Sequence, residues 1–175
     1  MKIAIIGHSG SGKSTLARKL SEKYSLPVWH FDAVQFLPGW EIRPEEEKKT
    51  LTKDFLDANN SWVMDGNYSK LWYQRRMEEA DVIVVMLFNR WHSLYRVTKR
   101  YLKYKNKTRP DMADGCKEKL DWEFVKWILR DGRSKAAQDR YGWVISQYNE
   151  KVILVKNQRQ LNAVEKKIEK RVGGS

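Results

Sequence analysis

The segment that most constrains the fold of this chain is a glycine-rich turn near its N-terminus. It reads Gly7-His8-Ser9-Gly10-Ser11-Gly12-Lys13-Ser14. An apolar, β-branched run at residues 2–6 precedes it, and residues 13–24 follow, with Leu16 and Leu20 on one helical face. Glycines between a strand and a helix let successive backbone N–H groups point at one anion, and the helix dipole adds positive charge there. The pattern therefore predicts a strand, a phosphate-binding loop and a helix.

The side chains of this loop predict a nucleoside triphosphate and Mg²⁺ as its ligands. We expect the Lys13 ammonium to reach the β- and γ-phosphates and the Ser14 hydroxyl to bind Mg²⁺. Thr15 is expected to pack against or cap the same turn, and His8 to act mainly through its backbone. The run from Gly7 to Thr15 is the predicted ATP-binding segment. Such a loop does not indicate what receives the phosphate, so other residues must distinguish between the possible acceptors.

The rest of the chain alternates short apolar runs with stretches of helical spacing. Further strand-like runs lie at residues 27–31, 61–65, 81–88 and 152–155. The run at 81–88 lacks polar alternation, which is typical of a parallel strand covered on both faces. Five strands separated by helices predict right-handed crossovers and a parallel sheet between two helical layers. We therefore expect an α/β fold, with residues 1–175 in a single domain.

Helical spacing also predicts which side chains are buried. Pro44 followed by three glutamates indicates a helix start, with Leu51, Phe55 and Ala58 as the buried face. The aromatic side chains in the strands and in the helix near residue 125 are expected in the core: Trp29, Trp62, Trp122 and Trp127.

Polar residues follow several of the predicted strands. Ligands of parallel sheets bind at the carboxyl ends of the strands, where we expect these residues to gather: Gly7, Asp32, Asp65, Asn89 and Lys156. Asp65 is expected to take part in Mg²⁺ coordination, because it ends a strand opposite the phosphate-binding loop. Asp32 has three interpretations: it takes a proton from an acceptor hydroxyl, binds Mg²⁺ through water, or caps a turn.

Three other side chains near this edge are less specific. Lys156 either borders the nucleotide base or is a surface lysine. His30 is predicted to be a core histidine. Trp40 follows a Pro-Gly turn, and it either stacks on an acceptor ring or packs against its neighbours.

The size and composition limit the class of protein. At 175 residues with 41% hydrophobic and 32% charged residues, the chain has the balance of a soluble globular domain. The longest apolar run, residues 82–88, is far short of the ~20 residues that cross a bilayer, and we expect no secretory signal. The single Cys116 cannot form an internal disulfide, which indicates a reducing compartment. We expect a cytoplasmic protein without a membrane partner.

Positive charge is concentrated in the second half of the chain. The net charge is +12, and residues 90–140 carry 15 Lys and Arg against 7 Asp and Glu, whereas residues 1–89 are balanced. Such a field favours an anionic partner: nucleic acid, an anionic membrane surface or a phosphorylated small molecule. The arginines flanking the aperiodic stretch in this region are Arg96, Arg100, Arg109, Arg130 and Arg133. We predict that residues 105–133 close over the site as a lid.

Several motifs resemble those of adenylate kinases. Asp65-Gly66-Asn67-Tyr68 resembles their Asp-Gly-aromatic element, and residues 96–100 are similar to the Arg-x-x-x-Arg that opens their lid. Longer segments resemble the adenylate-kinase-related proteins named DNA topology modulation proteins: HFDAVQFLPGW at 30–40, WVMDGNY at 62–68 and TRPDMADGCKEKLDWEFVKWILRD at 108–131. The resemblance spans nearly the entire chain.

The resemblance implies a three-layer P-loop kinase fold with strand order 2-3-1-4-5 and a helical lid. It implies ATP-dependent phosphoryl transfer to a nucleotide or another small, anionic molecule, with Asp65 holding water bound to Mg²⁺. Arg96 would stack on or flank the adenine. The residues approaching phosphates would be Arg100, Arg130 and Arg133. A second hypothesis is a nucleic-acid-binding ATPase or switch, which the basic second half favours.

Two departures from adenylate kinases concern the acceptor and the lid. Those enzymes usually carry an arginine shortly after the Asp-Gly element, where Ser69 stands here, and Arg75 or Arg76 could substitute. The identity of the acceptor is therefore open. The predicted lid also lacks the cysteines of zinc-bearing adenylate kinase lids, so no structural metal is expected there.

Overall fold

A five-stranded parallel sheet forms the centre of the molecule in the computed structural model, which describes residues 1–173. Its strands are β1 (Lys2–Gly7), β2 (Val28–His30), β3 (Trp62–Asp65), β4 (Val82–Met86) and β5 (Val152–Val155). Their order is β2-β3-β1-β4-β5, which confirms the prediction. Every pairing is parallel, with Ile3 opposite Val63 on one side and opposite Val82 on the other.

Helices cover both faces of this sheet. They are α1 (Lys13–Tyr24), α2 (Phe31–Gln35), α3 (Glu45–Ala58), α4 (Tyr73–Glu79), α5 (Arg90–Tyr104), α6 (Trp122–Leu129), α7 (Lys135–Gln147), α8 (Gln158–Asn162) and α9 (Val164–Val172). Short 3₁₀ turns lie at Pro38–Trp40 and Asp131–Arg133. Within residues 1–173, no helix combines the length and the apolar composition that a membrane span requires.

Alternating side chains of the strands form two apolar layers. On one face, Ala4 and Ile6 of β1 belong to a cluster with side chains of α3, α4 and α7. On the other face, Ile3 and Ile5 pack with side chains of α1 and α9. All five residues of β4 are fully buried, as expected for a strand with a neighbour on each side and helices on both faces.

The buried face of α3 differs from the prediction. Lys48, Thr52 and Leu56 are 8%, 0% and 3% exposed, whereas Leu51 is 36% exposed. The polar groups on this face have partners nearby: the Thr52 hydroxyl donates to the Lys48 carbonyl at 2.7 Å, and the Lys48 ammonium donates to Gln35 Oε1 at 2.9 Å. Of the three residues predicted to be buried, Phe55 is partly buried against the core, whereas Leu51 and Ala58 are exposed because Lys48 and Thr52 occupy buried positions.

Two of the four tryptophans expected in the core are exposed instead. Trp62 is fully buried in β3, and Trp29 packs on core side chains. Trp122 is 76% exposed and Trp127 is 49% exposed. Both lie on α6, which packs against α5, so a helix with apolar spacing keeps much of its aromatic surface in solvent.

The irregular segment between α5 and α6 reaches across to the loop at residues 36–42. The Trp40 indole N–H donates to the Lys117 carbonyl at 3.2 Å, and the Cys116 thiol donates to the Leu37 carbonyl at 3.3 Å. These contacts bring the predicted lid against the part of the chain that follows β2.

Candidate active site

The glycine-rich loop leads from β1 into the N-terminus of α1, as predicted. Gly7 has φ 140°, and a Cβ there would lie 2.1 Å from the Met86 carbonyl oxygen of β4. Gly12 has φ 94° and occupies the N-cap of α1, where no side chain accepts a hydrogen bond from the first turn. The first N–H groups of α1 are therefore left for a ligand, and the helix dipole favours an anion.

The Lys13 ammonium lies against this loop at the wall of a cleft. It donates to the His8 carbonyl at 3.1 Å and, within residues 1–173, has no carboxylate at ion-pair distance. Burial lowers the pKa of Lys13, and the charges of Asp32 and Asp65 oppose that shift. A cation without a salt bridge, held beside an uncapped helix start, is well placed for phosphate oxygens.

Asp65 joins Ser14 to His30 at the carboxyl end of β3. The Ser14 hydroxyl donates to Asp65 Oδ2 at 2.8 Å, and His30 Nδ1 is hydrogen-bonded to Oδ1. Burial opposes protonation of His30, but the hydrogen bond and the charge of Asp65 outweigh it and raise the pKa of His30. The β2–β3 register places His30 opposite Asp65. The sequence indicated only a core histidine, since that register is not readable from a three-residue strand.

The oxygen atoms at this point fit Mg²⁺. Asp65 is 4% exposed, and Ser14 lines the cleft in front of it. Because the Ser14 hydroxyl gives its proton to Asp65, its lone pairs are free for a metal. In the described part of the chain, no three His, Cys, Asp or Glu side chains converge on one metal position. Mg²⁺ bound with nucleotides usually takes few protein ligands and fills its octahedron with phosphates and waters, which Ser14 and Asp65 suit.

A second carboxylate, Asp32, lies in the first turn of α2 rather than at the end of a strand. The Tyr68 hydroxyl donates to Asp32 Oδ1 at 2.8 Å, and both residues line the cleft. Next to Tyr68, the Asn67 amide exchanges two hydrogen bonds with the Gly7 backbone, of 2.9 and 2.7 Å. The Asp-Gly-Asn-Tyr motif is therefore clamped directly to the glycine-rich loop.

One cleft of about 1360 Å³ connects these groups. On one side of the loop it runs between α5 and α8, where Arg96, Gln158 and Leu161 line it. On the other side it extends along α2 to Trp40 and the irregular segment, and the exposed Thr15 borders its mouth. Sites for single drug-sized ligands measure ~300–1000 Å³, so this cleft has room for two small ligands.

Arg96 lies beside the loop on the α5 side. Its Nη1 donates to the Ser11 carbonyl at 2.6 Å, Nη2 is hydrogen-bonded to Gln158, and the guanidinium stacks 4.4 Å from the Phe88 ring centre. The Arg96 guanidinium therefore lies next to Gly12 at the start of α1, and its place beside a bound base stays a prediction.

Arg100 and Arg109 meet at one buried carboxylate. Arg100 Nε donates to Glu118 Oε1 at 2.8 Å, and Arg109 Nε lies 2.8 Å from the other oxygen of a side chain only 2% exposed. Burial and the charge of Arg109 lower the pKa of Arg100. Both guanidinium charges also act on Lys13, so they lie near the loop. Arg100, for which the resemblance implies a role at the phosphates, is paired with Glu118 in this structure, and Arg109 joins it from the irregular segment.

Three predicted site cations lie outside the cleft lining. Arg133 Nη1 donates to the Phe88 carbonyl at 2.9 Å and contacts His8 Nδ1 at 2.8 Å, behind the glycine-rich loop. Arg130 is exposed at the end of α6, and Lys156 is exposed after β5. Arg133 therefore links the end of the predicted lid to the loop, and the other two reach neither end of the cleft in this conformation.

The two arginines considered as replacements at Ser69 face away from the cleft. Arg76 is 1% exposed and donates to the carbonyls of Gly66 at 3.2 Å and Tyr68 at 2.8 Å. Burial lowers the pKa of Arg76 to about 9. Arg75 forms ion pairs on the outside of α4. Arg76 thus stabilises the Asp-Gly-Asn-Tyr motif from the side that faces away from the cleft, a role that the sequence did not indicate.

Two indole side chains border the cleft from opposite sides. Trp40 has φ 71° and packs edge-on against Phe36, with ring centres 5.1 Å apart. Trp127 of α6 donates from Nε1 to Ser9 Oγ of the loop at 3.1 Å. The predicted lid therefore touches both the loop and the α2 side of the cleft.

Comparison with known proteins finds adenylate kinases that are similar in sequence. No family model matches the chain. An adenylate kinase of Clostridium perfringens is 22% identical over 199 aligned positions, which cover 94% of this chain and 91% of that protein. An adenylate kinase of Mycolicibacterium paratuberculosis is 28% identical over 109 positions, covering 51% of this chain and 57% of that protein.

Solved structures of kinases share the fold. Shikimate kinase from Acinetobacter baumannii in complex with shikimate has a TM-score of 0.59 at 15% identity, covering 99% of this chain and 94% of its own. Deoxyadenosine kinase from M. mycoides with dCMP and dCDP has a TM-score of 0.54 at 15% identity, covering 97% and 99%. The chain therefore has the α/β fold of P-loop kinases, with an all-parallel sheet of order 2-3-1-4-5.

Proposed function

We propose that this protein is an ATP- and Mg²⁺-dependent kinase that transfers the γ-phosphoryl group to a small molecule. One observation carries the proposal: the Ser14 hydroxyl donates to Asp65 at 2.8 Å, directly beside Lys13 and the uncapped start of α1. These groups supply the amide donors, the ammonium and the metal ligand that phosphoryl transfer requires. The adenylate kinase relatives and the kinase structures support the same class of enzyme.

ATP would lie with its phosphates on the glycine-rich loop and its base between α5 and α8. The Ser14–Asp65 pair marks the metal end of the phosphates, and it lies on the β3 side of the loop. The γ-phosphate therefore points toward β3 and α2, and the base points toward Arg96 and Gln158. The acceptor would occupy the α2 side.

Catalysis in this proposal is mainly electrostatic. Lys13 and Arg100 stabilise the charge that spreads over the transferred group, while Asp65 orients the Ser14 hydroxyl. Mg²⁺, when bound, would neutralise charge on the phosphate oxygens. Arg133 positions the loop and the lid, and Arg130 and Lys156 act only through the local positive field.

We propose that residues 105–133 act as a lid. The contacts of Trp127 with Ser9 and of Trp40 with Lys117 support this role, since they join the segment to both sides of the cleft. A closed lid excludes water from the γ-phosphate and so suppresses hydrolysis.

A product assay tests the proposed function. The protein is incubated with Mg²⁺-ATP and a panel of nucleosides, nucleoside monophosphates, polyols and hydroxy acids, and mass spectrometry identifies any phosphorylated product. We expect one acceptor to be phosphorylated and Lys13→Ala to abolish the product. Lys166→Ala, at an exposed position of α9, is the matched control and should retain full activity.

A second candidate function is nucleic-acid binding coupled to ATP. One observation favours it: Trp91, Tyr95 and Leu102 of α5 are 64%, 68% and 69% exposed in the basic part of the chain. Exposed aromatic rings beside cations suit stacking with bases, and the motifs that resemble DNA topology modulation proteins point the same way. Filter binding to DNA and RNA tests it. Affinity that falls steeply with salt would support the idea, and no binding at low salt would refute it.

A further inference from the structure

The side chains on the acceptor side of the cleft distinguish between two classes of phosphoryl acceptor. The inference drawn from them rests on the proposed function. A phosphate acceptor is an anion and needs cations to bring it to the γ-phosphate. A neutral hydroxyl acceptor needs no such cations but must pass its proton to a base. The side chains along α2 and the irregular segment can therefore be compared with both requirements.

The charges that line the two ends of the cleft differ. At the acceptor end, formed by lining residues within 32–48, 66–71 and 109–119 together with Arg100, which is bonded to Glu118, five Lys and Arg face four Asp and Glu. The rest of the lining has seven Lys and Arg against three Asp and Glu. The strongly basic part suits a triphosphate, whereas the nearly balanced part lacks the excess of cations that a second phosphate would require.

The cations of the acceptor end are already engaged. Lys48 donates to Gln35, Lys70 pairs with Glu45 at 3.1 Å, Arg109 pairs with Glu118 and Asp111, and Lys119 lies 3.6 Å from Asp121. Arg76, the buried cation nearest in sequence to Ser69, is bonded to backbone carbonyls behind the cleft. Among the described residues in these three ranges, Arg109 is the only guanidinium that lines the cleft, and both of its partners are carboxylates.

Asp32 places a negative charge near the position expected for the γ-phosphate. It lines the cleft, and its carboxylate acts on the Lys13 ammonium, which marks the γ-phosphate end. Tyr68 occupies Oδ1 with a hydrogen bond of 2.8 Å, whereas within residues 1–173 no donor is bonded to Oδ2. Burial raises the pKa of Tyr68, so its hydroxyl stays a donor. Asp32 is thus a fixed carboxylate with one free oxygen, which repels a phosphate and accepts a proton.

We infer that the acceptor is a small-molecule alcohol and that Asp32 is the base that takes its hydroxyl proton. The acceptor oxygen forms a bond to the γ-phosphorus while its proton moves to Asp32 Oδ2. The bond between that phosphorus and the β–γ bridging oxygen breaks, and ADP leaves with the electron pair. Asp32 then releases the proton to water, and the product is a phosphate monoester.

The linkage formed in the product tests this inference even while the identity of the acceptor is open. The protein is incubated with Mg²⁺-ATP labelled at the γ-phosphate and with the small molecules of a deproteinised bacterial extract, and ³¹P NMR and phosphatase sensitivity identify the new bond. A labelled phosphate monoester that Lys13→Ala fails to form supports the inference. A labelled phosphoanhydride, as from a nucleoside monophosphate, overturns it and leaves the proposed function standing. No Lys13-dependent labelled product overturns the proposed function and, with it, the inference.

A variant at Asp32 tests the assigned role with the acceptor so found. We expect Asp32→Asn to lower kcat by ~100-fold or more, with the KM for ATP and the Mg²⁺ concentration for half-maximal rate within about twofold of wild type. Asp32→Glu, which keeps a base, should recover part of the rate. Asp54→Asn, at an exposed position of α3, is the matched control. A raised Mg²⁺ requirement in Asp32→Asn, or an unchanged kcat, would overturn the role as base.

Discussion

The Ser14 hydroxyl donates a 2.8 Å hydrogen bond to Asp65, a residue 51 positions further along the chain. The bond joins the first turn of α1 to the end of β3, since β1 and β3 are neighbours in the sheet. It fixes the direction of the hydroxyl proton and leaves the oxygen lone pairs toward the cleft. Asp65 therefore acts on a bound metal through Ser14, as the hydrogen-bond partner of a metal ligand does.

Removing the charge of Asp65 should weaken the response to Mg²⁺. We expect Asp65→Asn to raise the Mg²⁺ concentration for half-maximal rate by ~10–100-fold, because the Ser14 oxygen is no longer oriented. Ser14→Ala should do the same, whereas Ser14→Thr keeps a hydroxyl and should stay close to wild type. Rates measured across a Mg²⁺ titration check this. Asp139→Asn, at an exposed site on α7, is the control, and equal Mg²⁺ curves for Asp65→Asn and this control would contradict the account.

The neighbouring arginines of α4 should differ sharply in their effect on stability. Arg76→Ala leaves the carbonyls of Gly66 and Tyr68 without donors and opens space beneath Phe31, so we expect the free energy of unfolding to fall by ~2–4 kcal/mol. Arg75→Ala removes only surface ion pairs and should cost less than ~1 kcal/mol. Urea denaturation measures both. Equal losses would show that Arg76 does not support the motif.

The five strands and the phosphate-binding loop could be predicted from the sequence because both depend on local patterns, whereas the strand order was predicted only from the resemblance to adenylate kinases. The loop needs glycine at Gly7, where a Cβ would meet the Met86 backbone, and at Gly12, where φ is +94°. The lack of polar alternation in β4 indicates burial on both faces, and the structure confirms it. These features do not depend on which distant residues meet.

The roles of several polar residues could not be predicted because they depend on long-range contacts. Lys48 is buried only because Gln35 of another helix accepts its hydrogen bond. Glu118 is buried because two arginines converge on it, one from α5 and one from the irregular segment. The residue types alone predict that both side chains are exposed, since isolated charged side chains normally face solvent.

The lid should loosen when its buried carboxylate is neutralised. Glu118→Gln removes the charge that holds Arg100 and Arg109, so we expect amide hydrogen exchange in residues 105–121 to speed up by at least tenfold. In the wild-type protein, Mg²⁺-ATP should slow exchange in residues 105–133. Exchange followed by mass spectrometry reads both effects, with Glu123→Gln on exposed α6 surface as the control. Identical exchange with and without ATP would refute the lid.

The His8 ring behind the loop should contribute a loss of stability on mild acidification, whereas His30, whose pKa is raised, contributes in the opposite direction. Burial and the charge of Arg133 lower the pKa of His8 from 6.5 to about 4. The unfolded chain therefore binds this proton at a higher pH than the folded one, so the contribution of His8 to stability decreases as the pH drops from 6.5 toward 4 and does not change at higher pH.

Replacing His8 should make that pH dependence shallower. We expect His8→Asn to lose less stability than wild type between these pH values, by on the order of 1 kcal/mol, because the ring is only partly buried. Thermal unfolding over the pH range measures it. His92→Asn, at an exposed position of α5, should keep the wild-type slope. A wild-type slope in His8→Asn would show that another group is responsible.

Calorimetric titration with Mg²⁺-ATP tests the central claim most directly, because every assigned role depends on a triphosphate bound at the loop. We expect saturable binding of one nucleotide per chain, weakened by at least ~10-fold in Lys13→Ala and unchanged in Lys166→Ala. The absence of heat and of saturation for ATP and for every other purine triphosphate, or equal binding by Lys13→Ala, would contradict the account.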